Sequence, residues 1–356
     1  MDHSDLTLEA VAVASQSDFE ILQSVVNRQL HPYRSFDLKK RSGGTRTLAI
    51  PVDEIRPVQT WILKNLLQSV PPHSSSYAYT TGRSVRLCAE RHLGGKWLLR
   101  MDLVGFFESI DERSVYYVLL KELGLTKVLS YQLARLVTVE DVSAETYVSA
   151  YRSLYTAGHR PQRRSRLPQG ASTSGALANL VARNLDNRVT ALARSEALTY
   201  TRYADDLFLS SDKNHNREYG ARLIGKVSDA IRLSGFEVNE AKTKLTTKGS
   251  ALQVLGLHVD GDSLRLSQEF KRRIDGHLRA LRVFGIQEHA EHLGHRHAGF
   301  LLAEIEGLLG YANDVSKGWA RPRRDEFVRL LDAYSIHRLP FGDPVMNNRR
   351  FPQVLN

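Results

Sequence analysis

Asp205 and Asp206 stand side by side between two β-prone runs, Leu198-Thr199-Tyr200-Thr201 and Leu207-Phe208-Leu209. β-rich flanks around a short polar break predict strand, tight turn, strand. Two adjacent carboxylates on a hairpin tip repel each other, and each must stay charged to be of use. A divalent cation removes that conflict. An isolated Asp-Asp pair is more often a solvated turn, so the surroundings decide. Asp102 ends the apolar run Lys96 to Asp102, short enough for a buried strand. The C-terminal end of such a strand is where α/β-type sheets place functional groups. Carboxylates from two neighbouring strands suit a pair of divalent cations about 4 Å apart, the arrangement that activates a hydroxyl and stabilises a leaving pyrophosphate. That chemistry is nucleotidyl transfer.

Cations surround these acids along the chain. The segment 36–51, FDLKKRSGGTRTLAIP, reads as a hairpin around Gly43-Gly44, with Lys40 and Arg46 near its tip. On such a ribbon, Arg offers a planar fork and Lys a point charge to phosphate. The segment 159–166, HRPQRRSR, carries Arg160, Arg163, Arg164 and Arg166. An arginine run is usually solvated, but beside a catalytic site it is a candidate contact to a nucleic-acid backbone.

The elements that must hold these groups follow from periodicity and punctuation. Residues 1–30 read as helical, with Leu22, Val25, Val26 and Leu30 at helix-like spacing after the polar break Ser15-Gln16-Ser17-Asp18. A helix covers 58–70 and ends at Pro71-Pro72, and a short one covers 85–92. Ser109 and Glu112 have capping-box spacing, which predicts a helix from 111 to 123 closed by Gly124. Leu167-Pro168-Gln169-Gly170 is a turn. A single amphipathic helix is expected over 174–194, and another over 217–234. Two β-like runs flank Asp260-Gly261, a hairpin signal. Ser267 caps a helix with Phe270, Ile274, Leu278 and Leu281 on one face, and the rest is helical with basic flanks. His289, His292, His295 and His297 crowd one segment without a cysteine nearby, and read as a solvated polar connection rather than a zinc site.

The chain has 356 residues, room for two or three subdomains. Its net charge of +10 suits a polyanionic partner, most commonly nucleic acid. Cys88 is the sole cysteine, which leaves no intrachain disulfide and no thiolate zinc cage. There is no signal pattern at the N-terminus and no run of the ~18 apolar residues that a membrane span needs. A cytoplasmic protein with no membrane partner is expected.

Five motifs stand in one order: KKRSGGTR (39–46), MDLVGFFESI (101–110), LPQGASTSGALANL (167–180), RYADDLFLS (202–210) and VLGLHVDG (254–261). Together they resemble the bacterial reverse transcriptases of the retron and defence-associated branch, relatives of group II intron enzymes. The resemblance implies an α+β right-hand polymerase: residues 1–95 as N-terminal helices and fingers, 96–262 as palm with a fingers insertion at 112–166, and 263–356 as a helical thumb. It implies Asp102, Asp205 and Asp206 as catalytic carboxylates holding two Mg²⁺ ions, with Asp206 the third. Lys40, Arg46, Phe107, Gln169 and Lys242 would contact the incoming nucleotide, with Lys244 a rival to Lys242. Phe107 would be a steric gate against the ribose 2′-hydroxyl, with Phe106 left to the core. Leu255 and Gly256 would form the primer grip, where absent side-chain bulk lets backbones approach.

The implied function is RNA-templated DNA synthesis on a dedicated non-coding RNA, in a retron-type antiphage defence system. The expected partners are the RNA template and primer, the RNA–DNA product, deoxynucleotides, and an effector protein or a second copy of the chain. The family's Asn-Ala-x-x-His appears as Cys88-Ala89-Glu90-Arg91-His92, and its Val-Thr-Gly as Val254-Leu255-Gly256. Alternatives are a group II intron-like or diversity-generating enzyme, an RNA-copying RNA polymerase, and a non-catalytic RNA-binding scaffold.

Overall fold

A computed structural model describes residues 5–39, 43–140, 165–247 and 249–333. The described chain falls into two compact units. One holds the residues up to Leu255 together with Val259–Ser263; the other holds Gly256–His258 and the residues from Leu264 onward.

In the first unit, Thr7 and Asp18 cap helices α1 (Leu8–Ser15) and α2 (Phe19–Val26) by accepting from Ala10 and Ile21 amides. Strands β1 (Tyr33–Lys39) and β2 (Thr45–Pro51) pair antiparallel, from Tyr33 opposite Pro51 to Lys39 opposite Thr45. Only the base of this ribbon is buried. There the Ala49 amide donates to the Gln169 carbonyl at 2.8 Å. Gly170 (φ +123) lies so close that a Cβ would meet the Ala49 carbonyl oxygen at 3.1 Å, so the 167–170 turn needs its glycine. Helices α3 (Arg56–Asn65) and α4 (Val85–Glu90) lead to the central sheet.

Strand β3 (Trp97–Asp102) is apolar and buried except at Arg100. Helix α5 (Glu112–Lys121) is capped by Asp111, whose carboxylate accepts from the Ser114 amide at 2.8 Å. Ser109 is not the cap; its hydroxyl donates to the Phe106 carbonyl. Helix α6 (Lys127–Val137) and the short pair β4 (Val139–Glu140) and β5 (Ser165–Arg166) follow. The helix expected over 174–194 is two, α7 (Ser174–Val181) and α8 (Arg183–Ser195), because Ala182 sits at ψ 0 with its amide shared between Ala178 and Leu180 carbonyls.

Strands β6 (Thr199–Tyr203) and β7 (Asp206–Ser211) form a hairpin whose turn is Ala204–Asp205. Helix α9 (Arg217–Arg232) leads back to β8 (Lys244–Thr247), which completes an antiparallel sheet ordered β6-β7-β3-β8. Leu99, Met101, Leu207 and Leu209 pack one sheet face into a core shared with Leu177, Leu185, Val189, Val227 and Ile231.

Two buried polar groups anchor the hairpin. Arg202 and Asp186 are both fully buried. Arg202 Nε and Nη2 donate to the two Asp186 oxygens at 2.8 and 2.7 Å. Its remaining N–H groups reach Asn179 Oδ1, Ser76 Oγ and the Ala204 carbonyl, at 3.2, 3.2 and 3.0 Å. Tyr200 donates its hydroxyl to Asp186 as well, at 2.8 Å. The last arginine bond matters most: Ala204 has φ 55, a conformation that costs a non-glycine residue roughly 1–2 kcal/mol, and its carbonyl is held by the guanidinium. The outer edge of β6 is covered by residues 75–77, with the Arg202 amide and carbonyl both bonded there. His92 is the second anchor. It bridges Ser210 Oγ of β7 and Thr201 Oγ1 of β6, both at 2.7 Å. Cys88 donates to the same Thr201 oxygen at 3.3 Å. Cys88 and His92 of the Cys-Ala-x-x-His stretch are therefore buried against the sheet.

The second unit pairs β10 (Leu257–His258) with β11 (Arg265–Leu266), while β9 (Gln253–Val254) belongs to the first. The expected tight turn at Asp260-Gly261 is a six-residue connection, 259–264. Ser267 caps α10 (Gln268–His292), which is broken at Gly285 (φ 85), and α11 (Ala298–Val315) and α12 (Lys317–Ala333) pack on it. His289 is buried, not solvated: its Nε2 meets His277 Nδ1 at 3.0 Å. No helix among the described residues is long and apolar enough to cross a membrane.

Removing one member of the Arg202–Asp186 pair strands a buried charge. Arg202→Met or Asp186→Leu alone should cost about 3–5 kcal/mol in urea denaturation, and the double variant far less than their sum; additive losses would contradict this. His92 is held neutral, pushed down to about 3 from 6.5 chiefly by burial. Below pH 6.5 the unfolded chain gains a proton that the native chain refuses until about pH 3. This group's contribution to stability therefore falls with acidity, by up to ~1.4 kcal/mol per pH unit in that window. The stability gap between wild type and His92→Gln should narrow from about pH 7 to about pH 5, and a constant gap would refute the assignment.

Candidate active site

Asp102 is the last residue of β3 and stands directly opposite Asp206 in β7. Opposed residues of an antiparallel pair share a face, with Cα atoms roughly 4.5–5.5 Å apart. Asp205 sits one residue earlier on the turn, and its carbonyl accepts from the Leu103 amide at 3.0 Å, stitching the turn to the residue after Asp102. Asp102 and the adjacent pair Asp205–Asp206, which begins 103 positions later, are thus brought to one end of one sheet.

They are not treated alike. Asp102 is buried, its Oδ2 accepting from Lys242 Nζ at 2.8 Å and its Oδ1 from Asn239 Nδ2 at 3.0 Å. Asp206 accepts from Arg100 Nε and Nη2 at 3.0 and 2.9 Å. Among the described residues Asp205 has no such side-chain partner. Burial pushes its carboxyl above the usual range and the Asp102 charge adds to that, with Lys242 and Arg46 pulling the other way. Burial also raises Asp206, against the opposing pull of Arg100. Strand alternation explains the division: consecutive residues cannot face the same way, so Arg100, on the same face two residues before Asp102, meets Asp206.

A cleft of about 1440 Å³ is lined by Asp102 and Asp205 and also by Arg46, Phe107, Gln169 and Lys242. Asp206 does not line it. Among the described residues no three His, Cys, Asp or Glu side chains form a metal-binding group, and the Asp206 carboxylate is paired with Arg100. Each cleft residue has a structural reason to be there. Gln169 is placed by the Ala49 bond at the ribbon base, and Arg46 lies on the exposed arm of β2. Lys242 ends a short 3-10 turn, Glu240–Lys242, that Asn239 begins. Lys244 is on β8 opposite Arg100 and outside the cleft, so of the two rival lysines Lys242 is the one placed there. Both phenylalanines border the cleft, but Phe106 is buried among Arg202, Phe107 and Phe236, whereas Phe107 is half-buried.

Of the remaining expected residues, Arg166 is half-buried and lines the cleft from β5. Lys40, Arg160, Arg163 and Arg164 lie outside the described residues. Leu255 and Gly256 have φ 51 and 82, a sharp turn. A Cβ at Gly256 would meet no protein atom within 4 Å, so within the protein its glycine answers to backbone conformation. Sequence reading missed Asn239, Arg100, Asn179, Asp186 and Tyr79. Arg100 was within reach of period-two alternation; Asn179 and Asp186 looked like the polar side of a helix.

The geometry can be set beside known proteins. Residues 38–259 match the family described as reverse transcriptase (RNA-dependent DNA polymerase). The retron Mx162 reverse transcriptase of Myxococcus xanthus is 33% identical over 255 residues, covering 68% of this chain and 51% of that protein. The retron Mx65 enzyme of the same organism is 34% identical over 280 residues, 78% of this chain and 60% of that one. The chain thus spans about half to three-fifths of the length of these two relatives. The retron Ec73 reverse transcriptase of Escherichia coli is 28% identical over 333 residues, 88% of this chain and 93% of that protein. The fold is like that of telomerase from Candida albicans, solved with a TWJ fragment of telomeric RNA: TM-score 0.50 at 13% identity, covering 87% of this chain and 56% of that chain. The palm-type sheet with its acids at one end is that of a right-hand polymerase, and the chain belongs to the reverse transcriptase (RNA-dependent DNA polymerase) family as a retron-type bacterial member.

Proposed function

We propose that this chain copies RNA into DNA, adding deoxynucleotides to a primer hydroxyl with loss of pyrophosphate. The observation that carries the reading is the register of β3 against β7, which sets Asp102 opposite Asp206 and beside Asp205 at the mouth of a cleft with cationic walls. Asp102 and Asp205 fit divalent cations: they are hard oxygen donors, little solvated, and close enough for the charge of one to raise the other. Two bound Mg²⁺ ions would supply activation of the hydroxyl and neutralisation of the phosphates.

The chain's own residues supply the rest. Arg46 and Lys242 donate to the triphosphate from opposite sides of the acids, and Lys242, more than half exposed, is free to exchange the Asp102 oxygen for a phosphate oxygen. Gln169 contacts the nucleotide near its sugar and base. Phe107 blocks the space a 2′-hydroxyl would need. Asp206 acts through Arg100, keeping a positive charge next to the acids. Residues 1–95 with 112–166 serve as fingers, 96–111 with 167–262 as palm and 263–356 as thumb. The likeness to retron reverse transcriptases supports a retron-type enzyme; a dedicated non-coding RNA as template, a role in antiphage defence and an effector or second copy as partner are part of the same proposal.

Asp205→Asn should lower primer extension on an RNA template by on the order of 10³-fold. Extension at the wild-type rate would remove Asp205 from the catalytic site, whereas a non-catalytic RNA-binding scaffold would extend no primer as wild type and would tolerate Asp205→Asn in cells. Phe107→Ala should raise ribonucleotide incorporation relative to deoxynucleotide by about tenfold or more, measured as the ratio of kcat/KM values. An unchanged ratio would remove the gate assignment.

A further inference from the structure

Tyr79 is the large aromatic of the cleft that no role above uses. Its backbone has φ 55, a left-handed conformation that side-chain-bearing residues rarely keep without a reason. Its side chain is nevertheless not stored in the core, with 58% of the residue's surface exposed. One flank of the ring lies on the first turn of α7, at Gly175. A Cβ on Gly175 would come within 2.4 Å of Tyr79 Cγ and 2.7 Å of Cδ1, so the glycine is what gives the ring its seat. On another side the ring meets Phe107 edge to face, with centroids 5.8 Å apart and planes at 65°.

The segment carrying Tyr79 is fixed from behind. The Ala78 carbonyl accepts from Asn179 Nδ2 at 2.7 Å, and Asn179 Oδ1 is in turn held by Arg202 and Ser76. The ring therefore stands on a rigid base, and Asp205 lines the same cleft. An exposed aromatic held in a strained backbone, seated on a glycine and set against the gate, adds little to folding. Its contacts assign it to the gate.

We propose that Tyr79 is a positioning residue for sugar selection: seated on Gly175, its ring backs Phe107 and stops that side chain from turning aside when a ribonucleoside triphosphate enters. The inference rests on the polymerase reading and deepens it, since it concerns discrimination between deoxyribo- and ribonucleoside triphosphates. It depends on the ring and not on the phenol oxygen. It also makes Tyr79 act through Phe107, so removing both should do no more than removing Phe107.

The test is single-nucleotide extension of a primer on an RNA template, with kcat/KM measured separately for a deoxynucleoside and the matching ribonucleoside triphosphate. The ratio of the two is independent of the fraction of enzyme that is folded, so a loss of stability does not mimic the effect. Tyr79→Leu should lower the preference for the deoxynucleotide by about tenfold. Tyr79→Phe should keep the wild-type ratio, and Gly175→Ala, which crowds the ring from beneath, should shift it in the direction of Tyr79→Leu. The double variant Tyr79→Leu/Phe107→Ala should match Phe107→Ala alone. An unchanged ratio in Tyr79→Leu would overturn the inference, as would a double variant whose loss is the product of the two singles. A contact to the template base would produce that first result, altering KM for both sugars equally. A wild-type protein that extends no primer would instead reject the polymerase reading itself.

Discussion

A fully buried arginine must satisfy every one of its N–H groups or its burial costs more than the fold can offset. Arg202 meets that condition by drawing together parts of the chain far apart in sequence: Ser76 from the covering segment, Asn179 and Asp186 from two helices, and Ala204 from the turn. A hydrophobic pair of similar volume could hold these elements together as firmly. What such a pair could not do is hold the Ala204 carbonyl by a directed bond. That bond fixes a strained turn, and the turn decides where Asp205 points. The geometry of the acids is therefore set from beneath the sheet.

From that constraint follows the unequal use of three aspartates. The hairpin places Asp205 on the turn and Asp206 on the strand, so the pleat separates their carboxylates. Arg100 compensates Asp206, and Lys242 with Asn239 compensates Asp102. Asp205 is left facing the cleft with its proton affinity raised by desolvation and by its neighbour. A site with one uncompensated acid beside one whose lysine partner is exposed is ready to exchange protein cations for others. His92 acts on the same hairpin from the other side, and its neutrality spares the sheet interior a further charge.

Much of this was legible in the residues alone. Short apolar runs announced β3 and β7, and acids at their ends announced the site, because a strand's alternation and a turn's polarity are local properties. Asp102 and Asp205, singled out by their placement at strand ends, line one cleft with Phe107, Gln169 and Lys242, which the family resemblance had pointed to. What stayed hidden was polar burial. Asp186 occupies a helix position that could equally face water, and nothing local says that an arginine 16 residues later will meet it. The cap at Asp111, the break at Ala182 and the buried His289 are of the same kind, since each depends on which of several competing partners tertiary packing brings near. Gly256 shows a subtler limit, for a glycine marks an unusual backbone without saying whether space or φ demands it.

The account turns on Asp102 and Asp205 sharing cations at the end of β3. The direct measurement is a crystal structure of the protein with primer, RNA template and a non-reactive deoxynucleotide in the presence of Mn²⁺, with anomalous scattering used to locate the ions. Anomalous density between the carboxylates of Asp102 and Asp205, with the Lys242 amine withdrawn from Asp102 toward phosphate, is the predicted result. Density elsewhere in the cleft, with Lys242 still bonded to Asp102 and nucleotide in place, would contradict it.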